Sequence, residues 1–215
     1  MIRRPPRSTL DRSSAASDVY KRQVIRLAGI ASGRCLVLFT SYSSMRQVHR
    51  LVSTPLNAMG VEVFAQGIDG SAQRVVTSFK NSGQAVLMGT NSLWEGVDIP
   101  GVQLQLVIIT RLPFDVPTDP IVAARSQLFD NPFMDFSVPN AVIRFRQGFG
   151  RLIRSAEDFG AVSVLDERVS SRGYGRKFIE SLPDCSRVSP RLEELDLDVR
   201  AWLAGEWKHG FDPDV

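Results

Sequence analysis

The chain has 215 residues, 43% of them apolar, which is length for one or two domains and enough apolar material for a sizeable core. No apolar run approaches the roughly 20 residues of a membrane span, and the two cysteines, Cys35 and Cys185, fit no ligand spacing, so neither a membrane anchor nor a metal or iron–sulfur site built from this chain alone is expected. The formal charge of +3 is local: residues 1–23 hold six of the 26 Lys/Arg and two of the 23 Asp/Glu, leaving 20 basic against 21 acidic residues, so bulk charge gives the body no footprint for nucleic acid.

Residues 1–23 are Arg-, Ser- and Pro-rich and show no periodicity. Ser13 to Gln23 resembles translated library-adapter sequence, so the segment is expected to be disordered and is set apart from the fold. From residue 24, apolar runs alternate with helical patterns. Cys35–Phe39 reads as a buried strand, followed by a helix that Ser43 or Ser44 can cap, with Met45, Val48, Leu51 and Val52 on one face. Val61–Phe64 is a second strand, Ala72–Lys80 a helix, and Ala85–Met88 a third strand ending at Gly89-Thr90. Leu104–Thr110 is a fourth strand. Asp119-Pro120 starts a helix by the cap-then-proline rule. Residues 130–139 read as a loop, Ala141–Ser155 as a helix, Ala161–Leu165 as a fifth strand and Gly175–Leu182 as a short helix. In the tail, 191–215, Leu192, Leu195, Val199, Trp202 and Leu203 form one helical stripe, expected to pack on the core.

Strand–helix repetition with nearly continuous apolar strands implies an α/β domain, a mostly parallel sheet with helices on both faces. Such sheets bind ligands at the carboxyl ends of their strands. Polar residues follow those ends here: Thr40-Ser41-Tyr42, Gly89-Thr90-Asn91, Arg111 and Asp166-Glu167-Arg168.

Three segments carry candidate chemistry. On the helix expected at 141–155, Gln147, Arg151 and Arg154 fall within about 60° of one another, opposite Val142, Phe145, Phe149, Leu152 and Ile153. Taken alone, this is an ordinary solvated face; taken as a site, two fixed guanidiniums suit a phosphate. Gly148 and Gly150 flank that face, each costing a helix about 1 kcal/mol, which suggests a close approach to the backbone. In Gly89–Gly101, Thr90, Asn91 and Ser92 offer donors to a nucleic-acid phosphate, while Glu95 and Asp98 can hold a ribose hydroxyl, a water or the arginines. Trp94 there suits a core position better than a stacking platform. Thr40–Met45 offers either a helix cap or a grip on a phosphate backbone.

Leu36–Met45, Gly89–Gly101, Leu112–Pro120 and Gln147–Arg154, in that order, resemble the second helicase-core domain of the DinG/XPD family of superfamily 2 DNA helicases. Asp166-Glu167-Arg168 and Tyr174-Gly175 continue the resemblance, which covers residues 24–190. It implies a RecA-like fold and single-stranded DNA as partner. It also implies that Arg151 and Arg154, with Gln147, are the motif VI residues acting on the γ-phosphate of ATP. Glu95, Gly96 and Asp98 of motif V, with Gly150, would lie near the nucleotide and couple its state to DNA grip. Thr40, Ser41, Tyr42, Thr90, Asn91 and Trp94 would contact the DNA strand.

The chain contains no Gly-x-x-x-x-Gly-Lys-Ser/Thr loop and no Asp-Glu-Ala-His-like box. The resemblance therefore implies that a separate amino-terminal helicase-core domain holds most of the ATP and Mg2+, and any iron–sulfur cluster. The chain alone is expected to be the inactive carboxyl-terminal part of an intracellular (cytoplasmic) helicase. A non-catalytic nucleic-acid-binding or interaction domain, and an RNA helicase of the same superfamily, are the alternatives.

Overall fold

Strand formation follows the apolar runs. In the computed structural model, β1 (Cys35–Leu38), β2 (Glu62–Ala65), β3 (Ala85–Gly89), β4 (Leu106–Ile109) and β5 (Ala161–Val164) form one sheet in the order β2-β3-β1-β4-β5, every pair parallel. The register sets Cys35 beside both Val86 and Leu106, so the most apolar strands occupy the middle. The structure describes residues 9–95, 99, 103–153, 159–189 and 194–206, with side chains from Tyr20 onward other than that of Glu95.

Alternation along the strands sorts the core into two layers. Cys35, Val37, Val86, Met88, Leu106 and Ile108 face one side of the sheet. There they meet α1 (Thr9–Ile30), α2 (Tyr42–Ala58) and α9 (Leu195–Leu203). Leu36, Leu38, Leu87, Val107 and Ile109 face the other side. They meet α3 (Ala72–Asn81), α4 (Asn91–Glu95), α6 (Val138–Phe149) and α8 (Gly175–Glu180). Two short helices, α5 (Pro120–Ser126) and α7 (Arg168–Ser171), lie in the connections after β4 and β5.

Several elements differ from the sequence expectation. Residues 9–23 belong to α1 rather than being disordered. The helix is anchored by Val24, Leu27, Ala28 and Ala31, all buried, at the spacing of one helical stripe. The cap of α2 is Ser41, not Ser43 or Ser44: its side chain accepts the Ser44 N–H at 3.2 Å, so the helix starts earlier than expected. The segment expected as a loop at 130–139 holds a π-helical turn, Phe133–Ser137, running directly into α6, whose first turn contains Pro139. That proline lacks an N–H, which the first turn of a helix does not need.

The largest difference is the end of α6. It stops at Phe149 with Gly150 as its cap residue, and Arg151 and Leu152 lie in a turn. The helix expected to Ser155 therefore does not continue through Arg151 and Leu152, and Gln147 and Arg151 do not share a helical face; Arg154 and Ser155 lie outside the described residues. In the tail, Val199 is buried, Leu195 and Leu203 pack on the same layer, and Arg26 pairs with Asp196 at 2.7 Å. Trp202 stacks on Phe159 with centroids 5.3 Å apart and donates its indole N–H to the Gly160 carbonyl at 2.7 Å. Among the described residues, no helix is long and apolar enough to cross a membrane.

Candidate nucleotide and nucleic-acid site

All five strands are parallel, so their carboxyl ends gather Thr40-Ser41, Gln66, Thr90-Asn91-Ser92, Thr110-Arg111 and Asp166 along one edge. The chain leaves β1 toward α2 on one face and leaves β3 toward α4 on the other. Connections that part in this way open a crevice between adjacent strands. A cleft of about 140 Å³ lies there, lined among others by Thr40, Asn91, Phe114, Asp115, Asp119 and Arg144.

Trp94 organises one wall from within. It is 2% exposed, and its indole N–H donates to the Phe39 carbonyl at 3.1 Å, tying α4 to the end of β1. Arg151 donates from Nε to the Trp94 carbonyl at 3.0 Å. Gly148 makes room for the ring: a Cβ there would lie 2.6 Å from Trp94 Cζ3 and 2.8 Å from Cε3. The close approach signalled by Gly148 is thus made by Trp94 of the same chain. Burial leaves Trp94 no face on which a base could stack, so its expected contact with DNA is not supported. Arg151 reaches α4 from a turn rather than from a helix face.

A second network joins three strand ends. Gln66, 6% exposed at the end of β2, accepts the Thr90 N–H on Oε1 at 3.1 Å. Its Nε2 donates to Tyr42 Oη at 2.7 Å and to Ser92 Oγ at 3.1 Å. Thr90 is itself buried, so this residue supports the loop rather than presenting a hydroxyl to solvent. The Ser41 hydroxyl serves the α2 cap and lies 2.9 Å from Ser43 Oγ. Tyr42, Asn91 and Ser92 are exposed. The sequence reading passed over Gln66, although it directly follows an apolar strand, the same signal that selected the others.

The loop after β4 is locked from the far edge. Asp166 accepts the Leu112 N–H at 2.9 Å and two contacts from Arg168 Nε, at 2.9 and 3.1 Å, with Arg168 Nη2 at 2.6 Å. Burial alone would raise the Asp166 pKa. The hydrogen bonds from Arg168 and the backbone N–H groups outweigh it and hold the carboxyl below its ordinary value. Arg168 is raised in turn, chiefly by its hydrogen bond to Asp166. Its guanidinium also sits 5.4 Å from the centre of the Phe114 ring, which packs on Phe133, Tyr174 and Phe178. Next to Phe114, Asp115 forms an ion pair with Arg144 in the cleft wall. Asp119 accepts the N–H groups of Ile121 and Val122 at 2.9 and 3.2 Å, the cap expected from its place before Pro120.

Of the remaining candidates, Gln147 is exposed on α6 and Gly150 ends that helix. Gly96, Asp98, Arg154 and the Glu95 side chain lie outside the described residues. Cys35 is fully buried in β1, and burial pushes its thiol pKa up, which fits a packing residue and not a ligand.

With this strand order and this polar edge, the domain is of the RecA-like class found in helicase cores. A family model described as the helicase C-terminal domain matches residues 24–185, and the chain belongs to that family. It is 46% identical over 178 residues to the 3′-5′ exonuclease DinG of Bacillus subtilis, covering 80% of this chain and 19% of that protein. It is 40% identical to the ATP-dependent DNA helicase YoaA of Escherichia coli (79% of this chain, 26% of that one). Against the ATP-dependent helicase DinG of Mycobacterium tuberculosis it is 37% identical (80% and 26%). The chain thus spans about a fifth to a quarter of the length of these relatives. Among solved structures it shares the fold of an XPD helicase, with TM-score 0.62 and 24% identity over 77% of this chain and 30% of that one. The same holds for the Xpd4 protein of S. tokodaii, with TM-score 0.53 and 20% identity over 81% and 33%.

Proposed function

We propose that this domain is the second core domain of an ATP-dependent DNA helicase of the DinG/XPD kind. In this reading it works inside the cell, against an amino-terminal core domain that holds most of the ATP and Mg2+. Arg151 and Arg154 would then offset the charge that develops on the transferred phosphate, with Gln147 beside them. Glu95, Gly96 and Asp98 would link the nucleotide to the loop after β3. Tyr42 and Asn91 would face single-stranded DNA, with Thr40, Ser41 and Thr90 shaping that surface. An iron–sulfur cluster, where one exists, would lie in the other domain.

The observation that carries this reading is the fixed position of Arg151. Its Nε is spent on the Trp94 carbonyl, so the guanidinium is oriented before any phosphate arrives. Preorganised charge of this kind accounts for much of the rate gain in phosphoryl transfer. The same contact ties the arginine to α4, which begins at the DNA-facing residue Asn91. In this reading, the contact would couple the arginine to that residue.

The test is DNA-stimulated ATP hydrolysis by the longer protein that contains this chain. Arg151→Ala is expected to lower kcat by about 10³-fold or more with DNA binding retained. A loss within about twofold would refute the assignment. Nucleic-acid degradation without ATP turnover would favour the activity named for the Bacillus subtilis relative over a helicase.

A further inference from the structure

We infer that Gln66 is a positioning residue that turns the hydroxyls of Tyr42 and Ser92 outward as a pair of donors for one phosphodiester oxygen of a bound single strand. The inference rests on the nucleic-acid reading above and adds to it a residue and a hydrogen-bond polarity.

Carboxamide O and N are interchangeable in shape, so their orientation follows from their partners. Here one partner decides it. The Thr90 backbone N–H can only donate, so the atom 3.1 Å from it must be the Gln66 oxygen. The NH2 group therefore points the other way, and its two protons go to Tyr42 Oη at 2.7 Å and Ser92 Oγ at 3.1 Å. Both ends of the amide are then partnered, as a side chain only 6% exposed should be.

The consequence falls on the two hydroxyls. Each accepts a proton from beneath, so each has its own proton left to give, directed away from Gln66. Tyr42 is 45% exposed and Ser92 is exposed. They come from different segments, the first turn of α2 and the start of α4, and among the described residues Gln66 is the side chain that hydrogen-bonds to both. Two outward O–H donors held side by side suit a ligand atom that only accepts. A phosphodiester oxygen is such an atom, and a hydroxyl contact to it carries no base preference.

The test uses the 215-residue chain and a fluorescein-labelled oligothymidylate, followed by anisotropy at low salt. Tyr42→Phe with Ser92→Ala should weaken binding about tenfold, since hydrogen bonds to charged groups are the stronger kind. Gln66→Glu keeps the Thr90 contact but replaces the NH2 by an acceptor, which turns both hydroxyl protons inward. It should weaken binding by a similar factor. In the Tyr42→Phe/Ser92→Ala background, the same change should cost less than about twofold, because its route through the hydroxyls is gone. A full, additive loss in that background would mean simple charge repulsion or structural damage and overturn the inference. Binding within about twofold of wild type for the surface pair overturns it even where Gln66→Glu fails to fold. No binding by the wild-type chain overturns the nucleic-acid reading itself, and this inference with it.

Discussion

Gly148→Ala separates two explanations of the same glycine by sign. Glycine inside a helix costs about 1 kcal/mol relative to alanine, so propensity alone predicts that the substitution stabilises the chain by that amount. The packing predicts the opposite. The new methyl would sit 2.6 Å from Trp94 Cζ3, 2.8 Å from Cε3 and 3.2 Å from Leu38 Cδ1. The indole cannot retreat, because it is 2% exposed and its N–H is bonded to the Phe39 carbonyl at 3.1 Å. Overpacking of this sort costs about 1–3 kcal/mol, which leaves a net loss of up to about 2 kcal/mol after the propensity gain. With a urea slope of about 2–3 kcal/mol/M, the midpoint should fall, by up to roughly 1 M. Gly150→Ala is the control. Its nearest neighbours are the Arg146 and Gln147 carbonyls at 3.3 and 3.7 Å, and its φ of −65° suits any residue, so the midpoint should stay nearly unchanged. A rise of about 1 kcal/mol for Gly148→Ala would refute the claim that Trp94 fills this space. It would restore the view that the glycine serves something outside the chain.

Asp166 is expected to make stability pH-dependent. Its folded-state pKa is depressed, so the unfolded state binds the proton first as pH falls, and the stabilisation present above the ordinary carboxylate value is lost through the folded value. The stability gap between wild type and Asp166→Asn, read from urea midpoints, should be full near neutrality and close in acid; a gap that stays constant would remove the assignment. Asp119→Ala should cost about 1 kcal/mol at the start of α5, seen as faster amide exchange at Ile121 and Val122, and unchanged exchange there would mean the cap contributes nothing. The losses expected for Arg151→Ala in DNA-stimulated ATP turnover and for Gln66→Glu in single-strand binding complete the set, and they differ in kind. The first falls on kcat, the second on affinity.

The sheet was legible because it follows from local composition. Cys35–Leu38 and Leu106–Ile109 are apolar at every position, and only a strand buried on both faces needs that. The Asp119-Pro120 start is equally local, since a cap and its donors lie within three residues. The four blocks from Leu36 to Arg154 also identified the family, and with it which edge of the sheet matters. Ser41 shows where local reading fails: three neighbouring serines offer the same hydroxyl, and backbone geometry after β1 chose among them.

Other features depended on contacts between residues distant in the chain. Helical periodicity carried the α6 pattern past Gly150, whereas the chain turns at Arg151 and Leu152. Gly148 looked like an opening for another body, and the occupant proved to be Trp94 from α4. Arg151 looked like part of a polar face, and it is held by the carbonyl of that same tryptophan, 57 positions away. Gln66 had no motif at all, because its meaning lies in two hydroxyls and an amide that a parallel sheet brings to one edge. The sequence by itself determined the layers, the family and the list of polar strand ends, each of which is written in neighbouring residues. Only the tertiary structure decided which of those polar groups support the loops and which face outward. That division depends on distances between segments, and no periodicity encodes them.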